Sequence, residues 1–188
     1  HERLMNLYLT LEAFPEVPAM LKRLKAGGMK TAILSNGSPD MLAPMIDAAG
    51  LTHLFDAVLS VEEAGVFKPH PKVYRLAVDR LGVPADAIAF QSSNAWDAYA
   101  ASAFGMRVVW CNRYGQIAER LPGNPDHVVT TLAALPEKFR RRNKVVFMSP
   151  AKPDSATASN AELLAEFFPA QKIFQLAWLG KNFSPAAA

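Results

Sequence analysis

The chain has 188 residues, of which 51% are hydrophobic and 20% are charged, and its net charge is +3. Such a length and composition are typical of one substantial globular domain, alone or with an appendage. No apolar run is long enough to cross a bilayer and no basic-then-apolar leader opens the chain, so we expect no membrane partner. The single cysteine, Cys111, excludes an intrachain disulfide and favours a buried structural thiol in a reducing compartment, the cytoplasm.

Positive charge concentrates in one short segment that contains Lys138, residues 140–142 and Lys144. A basic run of this kind either contacts nucleic acid or forms a solvated helix end. The segment has no interleaved aromatic residue beyond Phe139 and matches no recognised binding module. We therefore interpret it as surface charge and expect no nucleic-acid partner.

Strand-like and helix-like patterns alternate along most of the chain. Predicted helices lie at 15–27, 41–49, 71–81 and 94–104, with a further helical turn at 132–135. Predicted strands lie at 30–34, 55–61, 88–90, 107–110 and 127–130. This alternation implies right-handed crossovers and a mainly parallel sheet in an α/β fold.

Beyond residue 143 the composition changes. Residues 145–148 have the pattern of a strand, while residues 149–160 are rich in Pro, Ser, Ala and Thr and indicate a linker. Two short apolar segments, 161–168 and 173–179, follow and are compatible with helices. This pattern is compatible both with a tail that packs on the core and with a tail that extends from it.

Polar side chains stand where three of the predicted strands end. Ser35 and Asn36 follow the strand at 30–34, Lys68 follows the strand at 55–61, and residues 92–97 follow the strand at 88–90. The carboxyl ends of parallel strands meet at one edge of a sheet, where open α/β folds bind ligands. We therefore predict that these three stretches converge on one pocket.

Each candidate also has an ordinary structural explanation. Ser35 and Asn36 before a helix suit an anion-binding corner, but serine and asparagine are also common turn residues. Lys68, aimed by the prolines that follow it, suits a carboxylate ligand or an acidic nucleophile, but an isolated lysine is more often a surface residue.

The same holds for three residues on the following helices. Asp97 suits the activation of a water molecule, or a first-turn partner of the helix dipole. Trp96 suits a pocket wall or core packing, and Tyr74 suits the pocket or a packed position. Only the combination of stretches is specific.

That combination resembles a known family. Leu-Ser-Asn-Gly at 34–37, Lys-Pro at 68–69 and Ser-Ser-Asn-Ala-Trp-Asp at 92–97 resemble, in order and spacing, the haloacid dehalogenase superfamily. Within it the resemblance is to the type II (S)-2-haloacid dehalogenases. It implies a Rossmann-like three-layer α/β/α core at 15–143, a remnant of a helical cap at 1–14, and a C-terminal extension of unknown role at 144–188.

The resemblance implies hydrolytic dehalogenation of (S)-2-haloalkanoic acids to 2-hydroxy acids of inverted configuration, through an aspartyl-ester intermediate. The small-molecule 2-haloacid is then the partner, and a homodimer is the assembly that the family suggests. By this resemblance, Ser35 and the Asn36 backbone bind the substrate carboxylate, and the Asn36 side chain binds the halide. Lys68 positions the nucleophile and the carboxylate, while Tyr74 and Ser92 support the site. Asn94 and Asp97 position and activate the water molecule, and Trp96 forms an apolar wall of the pocket.

One position separates this family from the Mg²⁺-dependent phosphatases of the same superfamily. Their fourth motif carries two acidic residues four positions apart, whereas here Ser93 precedes Asp97. A serine is a poor ligand for a hard cation, and phosphoryl transfer needs such a cation. We therefore expect no metal and no cofactor, and the phosphatase remains the alternative.

The family's nucleophile is an aspartate on a first strand that precedes the cap. Because the chain begins in what resembles the end of the cap, we expect this aspartate to be absent, which leaves a non-catalytic binding or assembly module as an alternative. Circular permutation does not restore it, since Met148 stands where aspartate is needed and Asp154 lacks strand context. Loss of a central strand predicts marginal stability or self-association, unless residues 145–148 fill the gap.

Overall fold

The computed structural model describes residues 12–135 and 145–148. Its strands are β1 (Lys30–Ser35), β2 (Ala57–Ser60), β3 (Ile88–Ser92), β4 (Arg107–Cys111), β5 (His127–Val129) and β6 (Val145–Met148). Its helices are α1 (Val17–Ala26), α2 (Pro39–Ala48), α3 (Pro71–Leu81) and α4 (Ala95–Phe104). Short 3₁₀ turns lie at Thr52–Leu54, Val61–Glu63, Ala85–Ala87 and Leu132–Ala134.

The six strands form one sheet in the order β2-β1-β6-β3-β4-β5. Every neighbouring pair is parallel. The last strand of the described chain, β6, is therefore central, with Val146 opposite Thr31 of β1 and Ala89 of β3. The prediction that residues 145–148 fill the centre of the sheet is confirmed, as is the mainly parallel α/β fold.

Helices cover both faces of the sheet, which gives the predicted three layers. Successive residues of a strand point to opposite faces, so each strand contributes to two cores. One core joins α1 and α2 to the sheet and includes Leu21, Ile46, Ile33, Ala89 and Val146. The other joins α3 and α4 to the opposite face and includes Val73, Ala98, Leu34, Phe90 and Val108.

Helix α3 begins and ends where the sequence predicts. Its first residue, Pro71, needs no amide donor and has the φ angle of a helix. The Nδ1 atom of His70 accepts a hydrogen bond from the Lys72 amide, 3.2 Å away. The helix ends at Gly82, whose φ of +63° is a conformation that glycine adopts without a steric penalty.

Several predicted element boundaries differ from those of the structure by one or two residues. Helix α1 begins at Val17 instead of residue 15, and strand β2 covers Ala57–Ser60 instead of 55–61. After β2 the chain turns at once into a 3₁₀ turn, because the Ser60 hydroxyl accepts a hydrogen bond from the Glu62 amide at 3.2 Å.

The predicted burial of the Cys111 thiol is confirmed, since this residue is 2% exposed.

Several predictions fall outside the described residues. They concern the helical cap remnant up to residue 11, the basic segment at 138–144, the linker at 149–160 and the apolar segments at 161–168 and 173–179. In the part of the chain that is described, no helix has the length and apolar character needed to cross a membrane.

Glu16 links α1 to the segments that follow β4 and β5. Its Oε1 atom accepts hydrogen bonds from the Arg113 guanidinium, the Thr131 hydroxyl (2.9 Å) and the Leu132 amide (3.3 Å). The Arg113 guanidinium also stacks 3.8 Å from the Phe14 ring centroid. Burial raises the pKa of Glu16, but the bonds from Arg113 and Thr131 outweigh it and the pKa lies below its usual value.

We expect Glu16→Gln to lower the free energy of unfolding at pH 7 by roughly 2 kcal/mol, since hydrogen bonds to a charged group are lost. A carboxyl whose pKa is depressed by folding stabilises the fold above its ordinary pKa, and this contribution disappears as the pH falls through the folded-state value. Urea unfolding at pH 7 and pH 3 should therefore show a smaller difference at pH 3. The exposed Glu12, changed to Gln, is the control, and a Glu16→Gln effect that does not depend on pH would contradict the expectation.

Candidate active site

The predicted polar residues meet at the carboxyl edge of the sheet. Ser35 ends β1 and Ser92 ends β3, and each is followed by a short turn into a helix. Lys68 lies between β2 and α3, next to Pro69, and the Lys68–Pro69 peptide bond is cis. All the predicted site residues are buried except Trp96, which is partly exposed.

A buried ionic cluster of Lys68, Asp97 and Tyr74 forms the centre of this edge. The Lys68 Nζ atom lies 3.0 Å from Asp97 Oδ2, and both side chains are fully buried. The Tyr74 hydroxyl donates to the other carboxylate oxygen, Oδ1, at 2.8 Å. Lys68 Nζ also lies 4.8 Å from the centroid of the Phe90 ring. Lys68 is therefore not the surface lysine that its sequence alone favours.

Burial sets the protonation behaviour of this ionic cluster. Burial lowers the pKa of Lys68, and the negative charge of Asp97 opposes that shift. Burial and the same Asp97 charge raise the pKa of Tyr74 far above its usual value. Tyr74 therefore stays protonated at neutral pH and remains a hydrogen-bond donor to Asp97.

Asn36 connects the end of β1 to the loop that carries Lys68. Its Oδ1 atom accepts a hydrogen bond from the Lys68 backbone amide at 3.1 Å. Beside it, the Ser35 Oγ atom accepts from the Gly37 amide at 3.0 Å. A Cβ atom at Gly37 would lie 3.1 Å from Leu42 Cδ2 and 3.3 Å from Ser35 Oγ, so glycine allows this close turn.

Residues at the end of β3 form a second polar turn. The Ser92 Oγ atom accepts a hydrogen bond from the Asn94 amide at 3.2 Å. The Nδ2 atom of Asn94 is buried and has no hydrogen-bond partner among the described residues. This turn leads directly into α4, whose third residue is Asp97.

Two residues near this edge were missed by the sequence analysis. The Ser60 hydroxyl, at the end of β2, donates to the Gly37 carbonyl at 2.8 Å and so braces the Ser35 turn. The Trp110 indole donates to the Ser93 carbonyl at 3.3 Å. Ser60 follows the same rule as Ser35 and Ser92, a polar residue at a strand end. Trp110 gave no such signal, because it lies within an apolar strand.

In residues 12–135 and 145–148, no three His, Cys, Asp or Glu side chains are arranged to hold a metal ion. The fold and the site together define a Rossmann-like three-layer α/β protein with a buried lysine–aspartate pair at the carboxyl edge of its sheet.

Comparison with known proteins assigns the family. A family model described as haloacid dehalogenase-like hydrolase matches residues 1–105. The (S)-2-haloacid dehalogenase of Pseudomonas sp. (strain YL) is 47% identical over 136 residues, which cover 72% of this chain and 59% of that protein. The chain therefore belongs to the haloacid dehalogenase-like hydrolases, as its motifs predicted.

Solved structures agree with this assignment. The L-2-haloacid dehalogenase from Xanthobacter autotrophicus is 36% identical and has a TM-score of 0.67, with 71% of this chain and 63% of that chain covered. A HAD phosphatase from Thermococcus onnurineus is 28% identical with a TM-score of 0.61, and 71% and 60% are covered. The chain spans about three fifths of the length of the curated relatives that it matches.

Proposed function

We propose that this site serves the hydrolytic dehalogenation of (S)-2-haloalkanoic acids to 2-hydroxy acids through an aspartyl ester. The observation that carries the proposal is the buried ionic cluster at the carboxyl edge, which places a cation, a carboxylate and a phenol beside the Ser35–Asn36 turn. The proposal is supported by relatives that are 41–47% identical and are named (S)-2-haloacid dehalogenase or haloacetate dehalogenase.

The substrate carboxylate is held at the end of β1. The Ser35 Oγ atom already accepts a hydrogen bond from Gly37, so its own proton is free to point at a carboxylate oxygen. The backbone amide of Asn36 adds a second donor beside it. The Lys68 backbone amide is bonded to Asn36 of this turn, and the buried Lys68 side chain carries a positive charge that favours a negative ligand where water is largely excluded.

The departing halide is received by the Asn36 side chain. Its Oδ1 atom is occupied by the Lys68 amide, so the amide nitrogen is the group left to donate towards the halide. A leaving anion is stabilised when such a donor is already in place before the carbon–halogen bond breaks.

Water for the hydrolysis of the ester is positioned by Asn94 and activated by Asp97. Lys68 and Tyr74 each occupy one Asp97 oxygen, and every carboxylate oxygen has a second lone pair that can accept a water proton. Ser92 fixes the turn that carries Asn94, whose buried amide nitrogen is an available donor. Trp96 contributes the apolar wall beside the substrate's alkyl group.

A Mg²⁺-dependent phosphatase is the second candidate, because the HAD phosphatase from Thermococcus onnurineus shares the fold. The residues of this chain favour it less. Ser93 offers a neutral hydroxyl where a second carboxylate would strengthen a magnesium site, and its carbonyl is engaged by Trp110. A non-catalytic binding or assembly module is the third candidate.

Ligand selectivity tests the proposal. In calorimetric titrations of the full chain without metal, we expect (S)-2-chloropropionate to bind more tightly than the R enantiomer. Ser35→Ala should weaken binding of the S enantiomer by about 10-fold or more, the range expected when a hydrogen bond to a charged group is lost.

The matched control is Ser102→Ala, which removes an exposed hydroxyl hydrogen bond on α4 away from the strand ends and should leave binding unchanged. Release of phosphate from p-nitrophenyl phosphate that requires Mg²⁺, together with no binding of either enantiomer, would favour the phosphatase and contradict the proposal. The absence of both haloacid binding and phosphate release would favour the non-catalytic module.

A further inference from the structure

Ser60 ends β2 beside the turn that follows β1. It is in register with Ser35, and it is 3% exposed. Its hydroxyl donates to the Gly37 carbonyl at 2.8 Å and accepts from the Glu62 amide at 3.2 Å. A hydroxyl has a single proton to donate, and here that proton is engaged by Gly37. Ser60 is therefore suited to hold its neighbours in place and not to donate to a ligand.

The turn at residues 35–37, which we call the carboxylate turn, is attached to both ends of the segment at 60–68. At the start of the segment, the Ser60 hydroxyl binds the turn. At its end, the Lys68 backbone amide donates to Asn36 Oδ1 at 3.1 Å, in a buried hydrogen bond. The place of Lys68 relative to the carboxylate turn therefore depends on a bond at each end of the segment.

Gly37 is the part of the carboxylate turn that most needs such support. Glycine has more backbone freedom than any other residue, so its orientation depends on what binds its amide and its carbonyl. The Gly37 amide donates to Ser35 Oγ at 3.0 Å, and its carbonyl accepts from Ser60. Without the Ser60 bond, the Gly37 amide is free to turn, and the direction of the Ser35 hydroxyl is no longer fixed.

We propose that Ser60 is a positioning residue for carboxylate recognition, which acts through Gly37 to orient the donors of Ser35 and Asn36. This inference rests on the proposed function, in which the carboxylate turn binds the substrate carboxylate. Donors that are already oriented bind a ligand without first losing conformational freedom. Loss of the Ser60 hydroxyl should therefore weaken binding and reduce the preference for one enantiomer.

A matched pair of substitutions isolates the hydroxyl. Ser60→Thr keeps it, while Ser60→Val has a methyl group in its place, and both add similar bulk to a buried strand end. In calorimetric titrations of the full chain without metal, we expect Ser60→Thr to bind (S)-2-chloropropionate about 5-fold more tightly than Ser60→Val, the factor that one neutral hydrogen bond contributes. The ratio between the dissociation constants of the R and S enantiomers should also fall in Ser60→Val. Ser60→Ala adds no bulk and should behave like Ser60→Val.

The carbonyl carbon of Gly37 reports the hydrogen bond directly, because its chemical shift changes when the carbonyl oxygen loses a donor. In the isotope-labelled full chain without ligand, we expect this resonance to move in Ser60→Ala and to stay near its original position in Ser60→Thr. Ser102→Ala is the control. The Ser102 hydroxyl makes the same kinds of bond, donating to the Asn124 carbonyl at 2.7 Å and accepting from the Asn124 amide at 3.0 Å. Its loss should change neither the Gly37 resonance nor haloacid binding.

A double-mutant cycle separates positioning from a general loosening of the fold. If Ser60 acts through the carboxylate turn, Ser60→Ala should weaken binding by a smaller factor in the Ser35→Ala background than in the unchanged chain, because one of the donors that it orients is already gone. A purely structural role would weaken binding by the same factor in both backgrounds.

The outcomes separate this inference from the proposed function. If (S)-2-chloropropionate binds the unchanged chain but Ser60→Thr and Ser60→Val bind it equally, the inference is overturned and the proposed function stands. An equal factor in both backgrounds of the cycle, or a Gly37 resonance that does not move in Ser60→Ala, also overturns it. If (S)-2-chloropropionate does not bind the unchanged chain, the proposed function fails and this inference fails with it.

Discussion

Replacing Lys68 by methionine should lower the free energy of unfolding by about 3–5 kcal/mol, the range measured when one partner of a buried ion pair is removed. The cause is the carboxylate that remains. Asp97 is fully buried, and among the described residues only the hydroxyl of Tyr74 still compensates its charge once Lys68 is replaced. Urea unfolding of the full chain, followed by circular dichroism at pH 7, measures the loss.

A surface ion pair in the same chain provides the control. Lys25 Nζ lies 2.7 Å from Asp56 Oδ1, but these side chains are 32% and 37% exposed. Lys25→Met should therefore cost less than about 1 kcal/mol, as exposed pairs generally do. The double variant Lys68→Met/Asp97→Leu should recover most of the stability lost in Lys68→Met, because no uncompensated charge remains. If Lys68→Met were no more harmful than Lys25→Met, the buried ionic cluster would not have the energetic role inferred from its geometry.

Replacing Val146 by aspartate should prevent the chain from folding. Val146 is fully buried in the middle of β6, and it lies in register with Thr31 and Ala89 on the two strands beside it. A carboxylate without partners at this position costs several kcal/mol, and domains are stable by only about 5–15 kcal/mol. Since β6 is the strand between β1 and β3, its displacement also separates the two halves of the described sheet.

The matched control places the same charge on the sheet edge. Val128 of β5 is 59% exposed, so Val128→Asp should change the free energy of unfolding by less than about 1 kcal/mol. Loss of the cooperative thermal transition in Val146→Asp, with a normal transition in Val128→Asp, is the expected result. A native-like transition in Val146→Asp would contradict the central place of β6.

Local signals account for the parts of the fold that the sequence predicted best. Pro71 and Gly82 determine the ends of α3 through their own backbone preferences, whatever they contact. The polar residues at strand ends were found because parallel strands end at a common edge of the sheet. The position of Ser35 and that of Ser92 could therefore each be predicted from its own strand. The order of the strands depends on pairing between segments that are far apart in sequence, such as β6 with β1 and β3. The sequence predicted only that residues 145–148 could fill a gap in the sheet.

Long-range partners account for what was missed. The role of Glu16 depends on Arg113 and Thr131, which are far away in sequence and meet it only in the folded sheet. The burial of Lys68 depends on Asp97 and Tyr74 in the same way, and an isolated lysine pattern cannot reveal it.

The most direct test of the central claim locates the bound haloacid on the folded protein. Amide chemical shifts of the isotope-labelled full chain are followed by NMR during titration with (S)-2-chloropropionate in the absence of metal. The expected result is a saturable shift of the amides at 35–37 and 92–97, the two turns that carry Ser35 and Asp97, and its loss in Ser35→Ala. Saturable shifts confined to other surfaces, or shifts at these turns only when Mg²⁺ is present, would contradict the assignment of this edge as a metal-independent haloacid site.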